Sequence, residues 1–181
     1  MTRREFIAAG AGVAALAVGT GTAVGAGARR TIHKGIMWGT IGIKGSVMDK
    51  MQAAKRAGYA GVEPMGAMDQ DEVVKALEAT GLKAGSVCCH SHWAKPLSDP
   101  NPEVRRAGVE GLKQSLHDAK RYGAPSVLLV PAVVNEKVSY MDAYRRSQEE
   151  IRKVIPLAED LGVRISIENV WNNFLLSPIE A

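Results

Sequence analysis

Short apolar runs alternate with longer amphipathic stretches from about residue 32 to the end of the chain, and this alternation constrains the fold more than any other feature. An apolar run such as residues 126–131 is too short for a buried helix, whereas the stretch before it repeats its apolar side chains at helical spacing. Alternating strands and helices are typical of a parallel sheet covered by helices. We therefore expect an α/β fold with about five parallel strands and four helices.

The expected elements follow from apolar patterning and from helix-start signals. The five predicted strands cover residues 36–38, 61–65, 82–90, 126–131 and 163–169. The first three helices are predicted to begin after Ser46, Asp69 and Asn101, because these side chains can cap the free N–H groups of a first turn. A fourth helix is predicted from about Asp142 to Leu161. Pro156 lies inside it and is expected to kink it or interrupt its hydrogen bonds.

The first 28 residues have the pattern of a removable export segment. Arg3 and Arg4 precede an apolar, Ala/Gly-rich run at residues 7–18, and Ala26-Gly27-Ala28 follows. This pattern resembles a twin-arginine signal, and the run is shorter than the roughly twenty residues of a membrane span. We predict a signal peptide at residues 1–28, a folded part at 29–181, a periplasmic or exported protein, and no membrane association after cleavage. The alternative is an uncleaved anchor.

Charge and cysteine usage exclude some partners. The formal net charge is +4 and the sequence pI is about 9.1, but basic residues are mixed with acidic ones along the chain. No basic stripe of the kind that binds nucleic acid is visible, so no nucleic-acid partner is expected. The only cysteines, Cys88 and Cys89, are adjacent in sequence and are not expected to form a disulfide framework.

The most informative stretch is residues 164–178, RISIENVWNNFLLSP. In its strand pattern Ser166 and Glu168 point to one side, and Ile165 and Ile167 point to the other. Glu168 therefore lies at the C-terminal end of a strand, and in an α/β barrel that end carries the chemistry. The alternative is a carboxylate that only ends the strand and pairs with a nearby lysine.

Other polar and aromatic residues follow the predicted strand ends. They are Trp38, Glu63, His90, Ser91, His92, Asn135 and Asn169. Cys88, His90 and His92 alternate onto one face if the chain stays extended, which suggests a zinc site, but side chains about 7 Å apart on one strand do not easily converge on one ion. Histidines that line a pocket and bind sugar hydroxyls near Trp93 are favoured over a zinc site. A structural role for at least one of the two histidines is favoured still more.

Residues 145–150, 156–158 and 168–174, together with GVEPM at 61–65, resemble the xylose-isomerase-like TIM barrels, a superfamily of sugar isomerases and epimerases. The resemblance implies a (β/α)8 barrel and a divalent metal, Mn²⁺, Mg²⁺, Co²⁺ or Zn²⁺. It also implies proton transfer at a sugar carbon through an enediolate. It makes Glu168 a metal ligand and catalytic acid or base. Glu63, His90, His92 and Asn169 become expected binding residues for a small sugar.

The end of the chain predicts a partial barrel. Ser177, Pro178 and Glu180 form a helix-start signal with almost no chain after it, and an eight-stranded barrel typically takes ~250 residues. We expect a barrel that is incomplete at its C-terminus, with the other metal ligands beyond Ala181. Such a fragment is expected to bind no metal, to be inactive alone and to self-associate. A complete open, flavodoxin-like sheet is the alternative fold.

Two other functions stay open. One is a non-catalytic periplasmic carbohydrate-binding protein built on a degenerate barrel, since fold alone does not settle function. The other is an endonuclease-IV-like protein, which shares the superfamily. The export pattern and the lack of a basic, aromatic-rich face disfavour the endonuclease.

Overall fold

The computed structural model describes residues 32–177 and 179–180, which form six β-strands and five α-helices. The strands are β1 (Gly35–Met37), β2 (Gly61–Glu63), β3 (Lys83–Ala84), β4 (Val87–Cys88), β5 (Ser126–Leu129) and β6 (Arg164–Ile167). The helices are α1 (Val47–Arg56), α2 (Gln70–Thr80), α3 (Pro102–Tyr122), α4 (Tyr140–Arg152) and α5 (Ile155–Leu161), with a short 3-10 helix at Trp38–Thr40.

All strand pairs are parallel and follow the order of the chain. One sheet has the order β1-β2-β3 and the other β4-β5-β6, and a parallel bridge between Met65 and Cys88 connects them. Helices connect β1 to β2, β2 to β3, β4 to β5 and β5 to β6, which is the arrangement of part of a (β/α)8 barrel. The predicted α/β class with parallel strands is confirmed.

The predicted third strand, residues 82–90, is divided into β3 and β4. The Gly85 N–H donates to the carbonyl of Val62, and the Cys88 N–H donates to the carbonyl of Pro64. Three residues on the third strand therefore oppose two on the second, which is the residue count of a β-bulge. The strand then ends at Cys88, so its predicted extension to His90 is wrong, and residues 90–94 form a turn.

The predicted fourth helix is two helices. Lys153 ends α4, and α5 begins at Ile155 with Pro156 in its first turn. Proline lacks the N–H that a helix interior needs but is tolerated in a first turn, so the break falls where the proline is least costly. The expected interruption at Pro156 is confirmed, and the count of helices rises to five.

The other helix starts agree with the sequence signals. Ser46 and Asp49 form a complete capping box at α1, and the Asp69 side chain accepts a hydrogen bond from the Glu72 N–H at α2. Asn101 caps α3 in the same way. Each such cap contributes roughly 1 kcal/mol to the stability of its helix, because it satisfies a free backbone donor.

The main core lies between the sheets and the helices. The strand side chains that face the helices are fully buried and include Val62, Val87, Val127 and Leu129. Helix α3 covers them with its predicted apolar stripe, of which Leu112 and Leu116 are also fully buried. Because alternate residues face opposite sides, the other half of each strand forms an inner face free of helices.

The predicted signal peptide lies outside the described residues, and so does Pro178 of the predicted helix start. No helix in the described ranges is long and apolar enough to cross a membrane. The proposed export and the proposed truncation therefore stay predictions.

Candidate functional site

The inner face of the sheets brings the predicted carboxylates to one side. Strand register aligns Cys88 with Leu128 and Leu128 with Ser166, and Met65 bridges to Cys88. Glu63 lies two residues before Met65, so it shares this face. Glu168 lies two residues after Ser166 and continues the same alternation, just beyond the C-terminal end of β6.

The opposite side of β6 faces the helix layer. Ile165 and Ile167 line an apolar groove with Ile151, Ile155 and Ala158 of α4 and α5. The two faces of β6 therefore differ in chemistry, with isoleucines toward the helices and a serine and a carboxylate toward the inner face. This division matches the alternation expected from the sequence.

Burial and neighbouring charges raise the pKa values of two groups on the inner face, Glu63 and Cys88. Burial raises the pKa of Glu63, and the charge of Glu168 raises it further. Burial also raises the pKa of the Cys88 thiol to about 11, with smaller effects from Cys89, Glu168 and Glu63. Cys88 is therefore a neutral thiol at pH 7. Within the described residues, Cys88, His90 and His92 do not group closely enough to hold an ion, which disfavours the zinc interpretation.

Burial and one hydrogen bond determine the protonation state of the His92 ring. It is only 5% exposed, and its Nδ1 accepts a hydrogen bond from the Val130 N–H at 3.2 Å. Burial lowers the pKa of His92 to about 4, and the neighbouring His90 contributes. The ring is therefore neutral at pH 7, and because Nδ1 accepts, the proton is on Nε2.

His90 lies in the turn after β4. Its ring packs over Gly66 and Gly111, and a Cβ at Gly66 would lie 2.9 Å from His90 Nδ1 and 2.3 Å from Ser115 Oγ. The ring therefore sits between the loop after β2 and helix α3. The predicted alternation of His90 and His92 with Cys88 is wrong, because the strand ends at Cys88 and the turn redirects both rings.

Asn169 is exposed directly after Glu168, and the loop that follows is fixed by its neighbour Asn172. Asn172 is 2% exposed. Its Nδ2 donates to the carbonyl of Ala132 at 2.8 Å, and its backbone carbonyl accepts from the Val134 N–H at 3.0 Å. The sequence interpretation gave Asn172 no role, although an Asn-Asn pair signals positive φ, and Asn173 has a φ of 56°.

Ser98, in the loop after β4, connects that loop to the loop after β5. Its Oγ accepts from the Val133 N–H at 2.9 Å and donates to the Val133 carbonyl at 3.1 Å. Arg146 of α4 donates to the Ser98 carbonyl. The loops after β4, β5 and β6 are thereby cross-linked by hydrogen bonds at the rim, which gives Glu168 a rigid support.

The loop after β2 has its own buried anchor. Asp118 of α3 is fully buried and accepts hydrogen bonds from the Ala67 N–H and from the side chains of Gln70 and Gln114, at 2.7 to 2.9 Å. These bonds hold Ala67 at a positive φ of 60°. Sequence reasoning missed Asp118, because a carboxylate within a helix does not reveal which loop it contacts.

Two tryptophans meet at the rim. The rings of Trp93, after β4, and Trp171, after β6, stack with centroids 5.9 Å apart and planes 9° apart. His92 meets Trp93 edge to face at 5.5 Å. Trp93 is 44% exposed and Trp171 83% exposed. The sequence interpretation considered stacking near Trp93 but gave Trp171 no role.

The donor set of the inner face fits part of a divalent-metal site. Glu63 and Glu168 offer carboxylate oxygens, which Mg²⁺ and Mn²⁺ prefer. Across residues 32–177 and 179–180, however, no three His, Cys, Asp or Glu side chains group closely enough to hold an ion. The described residues can therefore supply some of the ligands, with Glu168 the more accessible.

The fold agrees with comparisons to known proteins. The sequence profile of the family described as "Xylose isomerase-like TIM barrel" matches residues 51–181. The chain belongs to this family.

Curated proteins that match this chain in sequence include sugar epimerases. L-ribulose-5-phosphate 3-epimerase UlaE of Escherichia coli O157:H7 (strain EC4115 / EHEC) is 23% identical over 135 residues, which cover 67% of this chain and 47% of the relative. A putative enzyme of the same name from Shigella dysenteriae serotype 1 matches equally well. The chain therefore spans about half the length of the curated relatives it matches.

Solved structures show the same fold at lower identity. The 3-keto-D-glucoside 4-epimerase YcjR from E. coli superposes with a TM-score of 0.66 at 16% identity, covering 78% of this chain and 57% of that one. D-psicose 3-epimerase superposes with a TM-score of 0.63 at 19% identity, covering 78% and 54%. Likeness at this identity supports the partial TIM barrel and carries no statement about substrate.

Proposed function

We propose that this chain is part of an exported, metal-dependent sugar isomerase or epimerase that moves a proton at a sugar carbon. The observation that carries the proposal is the pairing of Glu63 and Glu168 on the inner face, at the strand ends where barrels of this class do their chemistry. Membership of the family and sugar-epimerase relatives support it.

Glu168 is the proposed proton-transfer group. Its carboxylate is exposed at the end of β6 and is supported by the cross-linked rim loops, so it can approach a substrate without rearrangement. A carboxylate in this position can take a proton from a carbon next to a carbonyl and return it to the same face, and a second acid on the opposite face would supply the proton for inversion.

Glu63 and His92 are the proposed hydroxyl-binding groups. Burial and the charge of Glu168 raise the pKa of Glu63, so its partly buried carboxylate gains from accepting a hydrogen bond from a sugar hydroxyl. Neutral His92 carries its proton on Nε2, which is a donor. Asn169, exposed beside Glu168, adds an amide, and His90 lies against α3.

A divalent cation is the proposed cofactor, with Glu168 among its ligands. When bound, such an ion supplies positive charge that stabilises the negative charge developing on sugar oxygens. Because the described residues offer only part of a ligand set, we propose that the 181-residue chain alone binds the ion weakly, has little activity and self-associates through its open strand edges.

The competing proposals make different demands on the same residues. A carbohydrate-binding barrel would keep the rim tryptophans but would not need Glu168 as a base. An endonuclease-IV-like protein would need a basic surface for phosphates, and the inner face carries two carboxylates instead. The inner-face charge therefore favours a neutral or weakly charged sugar over DNA.

Deuterium exchange tests the proposal. We would prepare the 181-residue chain, and the same chain joined after Ala181 to the C-terminal half of D-psicose 3-epimerase, and incubate each with Mn²⁺ and D-psicose in D2O. We expect the joined protein to exchange a carbon-bound hydrogen of the sugar, as read by NMR, and the chain alone to exchange far less.

Two variants of the joined protein complete the test. Glu168→Gln should abolish exchange while leaving circular dichroism unchanged, and Glu159→Gln, on the outer side of the barrel, should exchange normally. A folded, Mn²⁺-binding joined protein that exchanges no hydrogen, or a Glu168→Gln variant that exchanges at the full rate, would contradict the proposal.

A further inference from the structure

The stacked tryptophans at the rim are placed for binding rather than for stability. Trp171 is 83% exposed, so its indole gains little from burial. Its loop is already held by Asn172 and by the buried side chains of Phe174 and Leu175, which are 2% and 6% exposed. Trp171 is therefore not needed to anchor the loop, and its large exposed ring requires another explanation.

The geometry of the pair extends an aromatic surface across two loops. The Trp93 and Trp171 planes differ by only 9°, whereas their centroids are 5.9 Å apart, so the rings are offset and neither covers the other completely. His92 packs edge-on against Trp93 at 5.5 Å and fixes that ring from the side. The outer face of Trp171 remains open to a ligand.

The residues around Trp171 indicate which kind of ligand the aromatic surface would bind. Trp171 lies three residues after Glu168, and Asn169 and Asn173 flank it with exposed amides. An aromatic face is electron-rich and attracts the weakly positive C–H groups on the face of a sugar ring, while amides bind the ring's hydroxyls. The inner-face carboxylates disfavour a phosphate dianion nearby.

We propose that Trp93 and Trp171 form a stacking platform for a neutral, cyclic sugar ring, so that the substrate of this site is a glycoside or another ring-form sugar rather than an open-chain sugar phosphate. This inference deepens the proposed function, on which it rests for the general class of ligand. It makes Trp171 a specificity residue that holds the ring portion of the substrate at the rim, next to Glu168.

Indole NMR of the full 181-residue chain tests the platform without any need for turnover. The chain has three tryptophans, Trp38, Trp93 and Trp171, so a ¹⁵N-labelled sample gives three indole N–H signals that single Trp→Phe variants assign. The probes are methyl β-D-glucopyranoside as the neutral ring, D-glucitol as an open-chain polyol, D-ribulose 5-phosphate as the charged sugar and a thymidine dinucleotide as a stacking base.

We expect the glucopyranoside to shift the Trp93 and Trp171 signals and to leave Trp38 unmoved. Trp171→Ala should weaken the binding about three- to tenfold, the range expected for loss of one aromatic contact, and Trp171→Phe should retain most of it. Trp38→Phe is the matched control and should bind like the parent. Because Trp171 is so exposed, its replacement is not expected to disturb the fold.

Several results would overturn the proposal. These are no shift at either rim tryptophan, equal binding by Trp171→Ala, or stronger shifts with glucitol, the sugar phosphate or the dinucleotide. The outcome is independent of catalysis, because the indole signals report binding without any turnover. Ring binding by the 181-residue chain, together with a joined protein that binds Mn²⁺ but exchanges no hydrogen, would therefore overturn the proposed function and leave the platform intact.

Discussion

Glu63, at the end of β2, and Glu168, just after β6, lie on the same inner face of the sheets, and the charge of Glu168 adds to burial in raising the pKa of Glu63. The two residues are more than a hundred positions apart in sequence, and they are brought together because parallel strands end at the same rim. A carboxyl group whose pKa is raised by burial and by a neighbouring carboxylate is a common feature of proton-transfer sites.

The first prediction concerns this coupling. Glu168→Gln should lower the pKa of Glu63, because it removes a like charge, but the pKa should stay above its ordinary value because burial remains. A carboxyl ¹³C titration by NMR measures it. Glu159→Gln removes an acidic group from the outer side of the barrel and should leave the Glu63 titration unchanged. An unchanged Glu63 titration in Glu168→Gln would show that the two groups do not interact.

The second prediction concerns the cost of ionising Glu63. The folded-state pKa is raised above the unfolded value, so ionisation destabilises the fold as the pH rises through the folded pKa. Glu63→Gln should therefore be more stable than the parent at pH 7, by no more than about 1 kcal/mol because the side chain is partly solvated. The gain should vanish below the unfolded pKa. Urea unfolding at several pH values measures it, and a loss of stability at pH 7 would contradict the account.

The third prediction concerns His92. Its folded-state pKa of about 4 lies below the 6.5 of an unperturbed histidine, so its contribution to stability is complete above pH 6.5 and is lost as the pH falls toward 4. We expect the free energy of unfolding to decrease by up to about 2 kcal/mol over this window. His92→Gln should flatten this part of the pH profile. His117→Gln, an exposed position on α3, should keep the parent profile, and an equal flattening there would count against His92.

The sequence predicted the fold well where a structural feature depends on residues that are close together in sequence. Capping at Ser46 and Asp69, the stripe on α3 and the alternation around Glu168 each depend on neighbours in sequence, and each was found. The bulge after Ala84 depends on how β3 meets β2, which no local pattern encodes. For that reason the strand was extended too far and His90 was placed on the wrong face.

The supporting residues were hidden for the same reason. Asp118 and Asn172 act on loops 51 and 40 residues away, through hydrogen bonds to the Ala67 N–H and the Ala132 carbonyl. Their residue types are ordinary for a helix and a loop. Only the assembled rim shows that they hold the segments carrying Glu63 and Glu168.

The fourth prediction tests this support. Asn172→Ala removes the donor to the Ala132 carbonyl and leaves that buried group unsatisfied, which should cost about 1 to 3 kcal/mol of unfolding free energy. Asn169→Ala, an exposed asparagine of the same loop, should cost less than about 0.5 kcal/mol. Denaturant midpoints of the two variants give the comparison. Equal midpoints would mean that the Asn172 bonds do not hold the loop.

The central claim is that Glu168 on the inner face is the metal- and proton-handling carboxylate, and Mn²⁺ line broadening on the 181-residue chain tests it most directly. We predict weak binding, saturating only in roughly the millimolar range because few ligands are present, with broadening centred on Glu168, Ser166 and Glu63. Glu168→Gln should remove this broadening, and Glu159→Gln should not. Broadening that is unchanged in Glu168→Gln, or that is centred on the outer helices, would contradict the account.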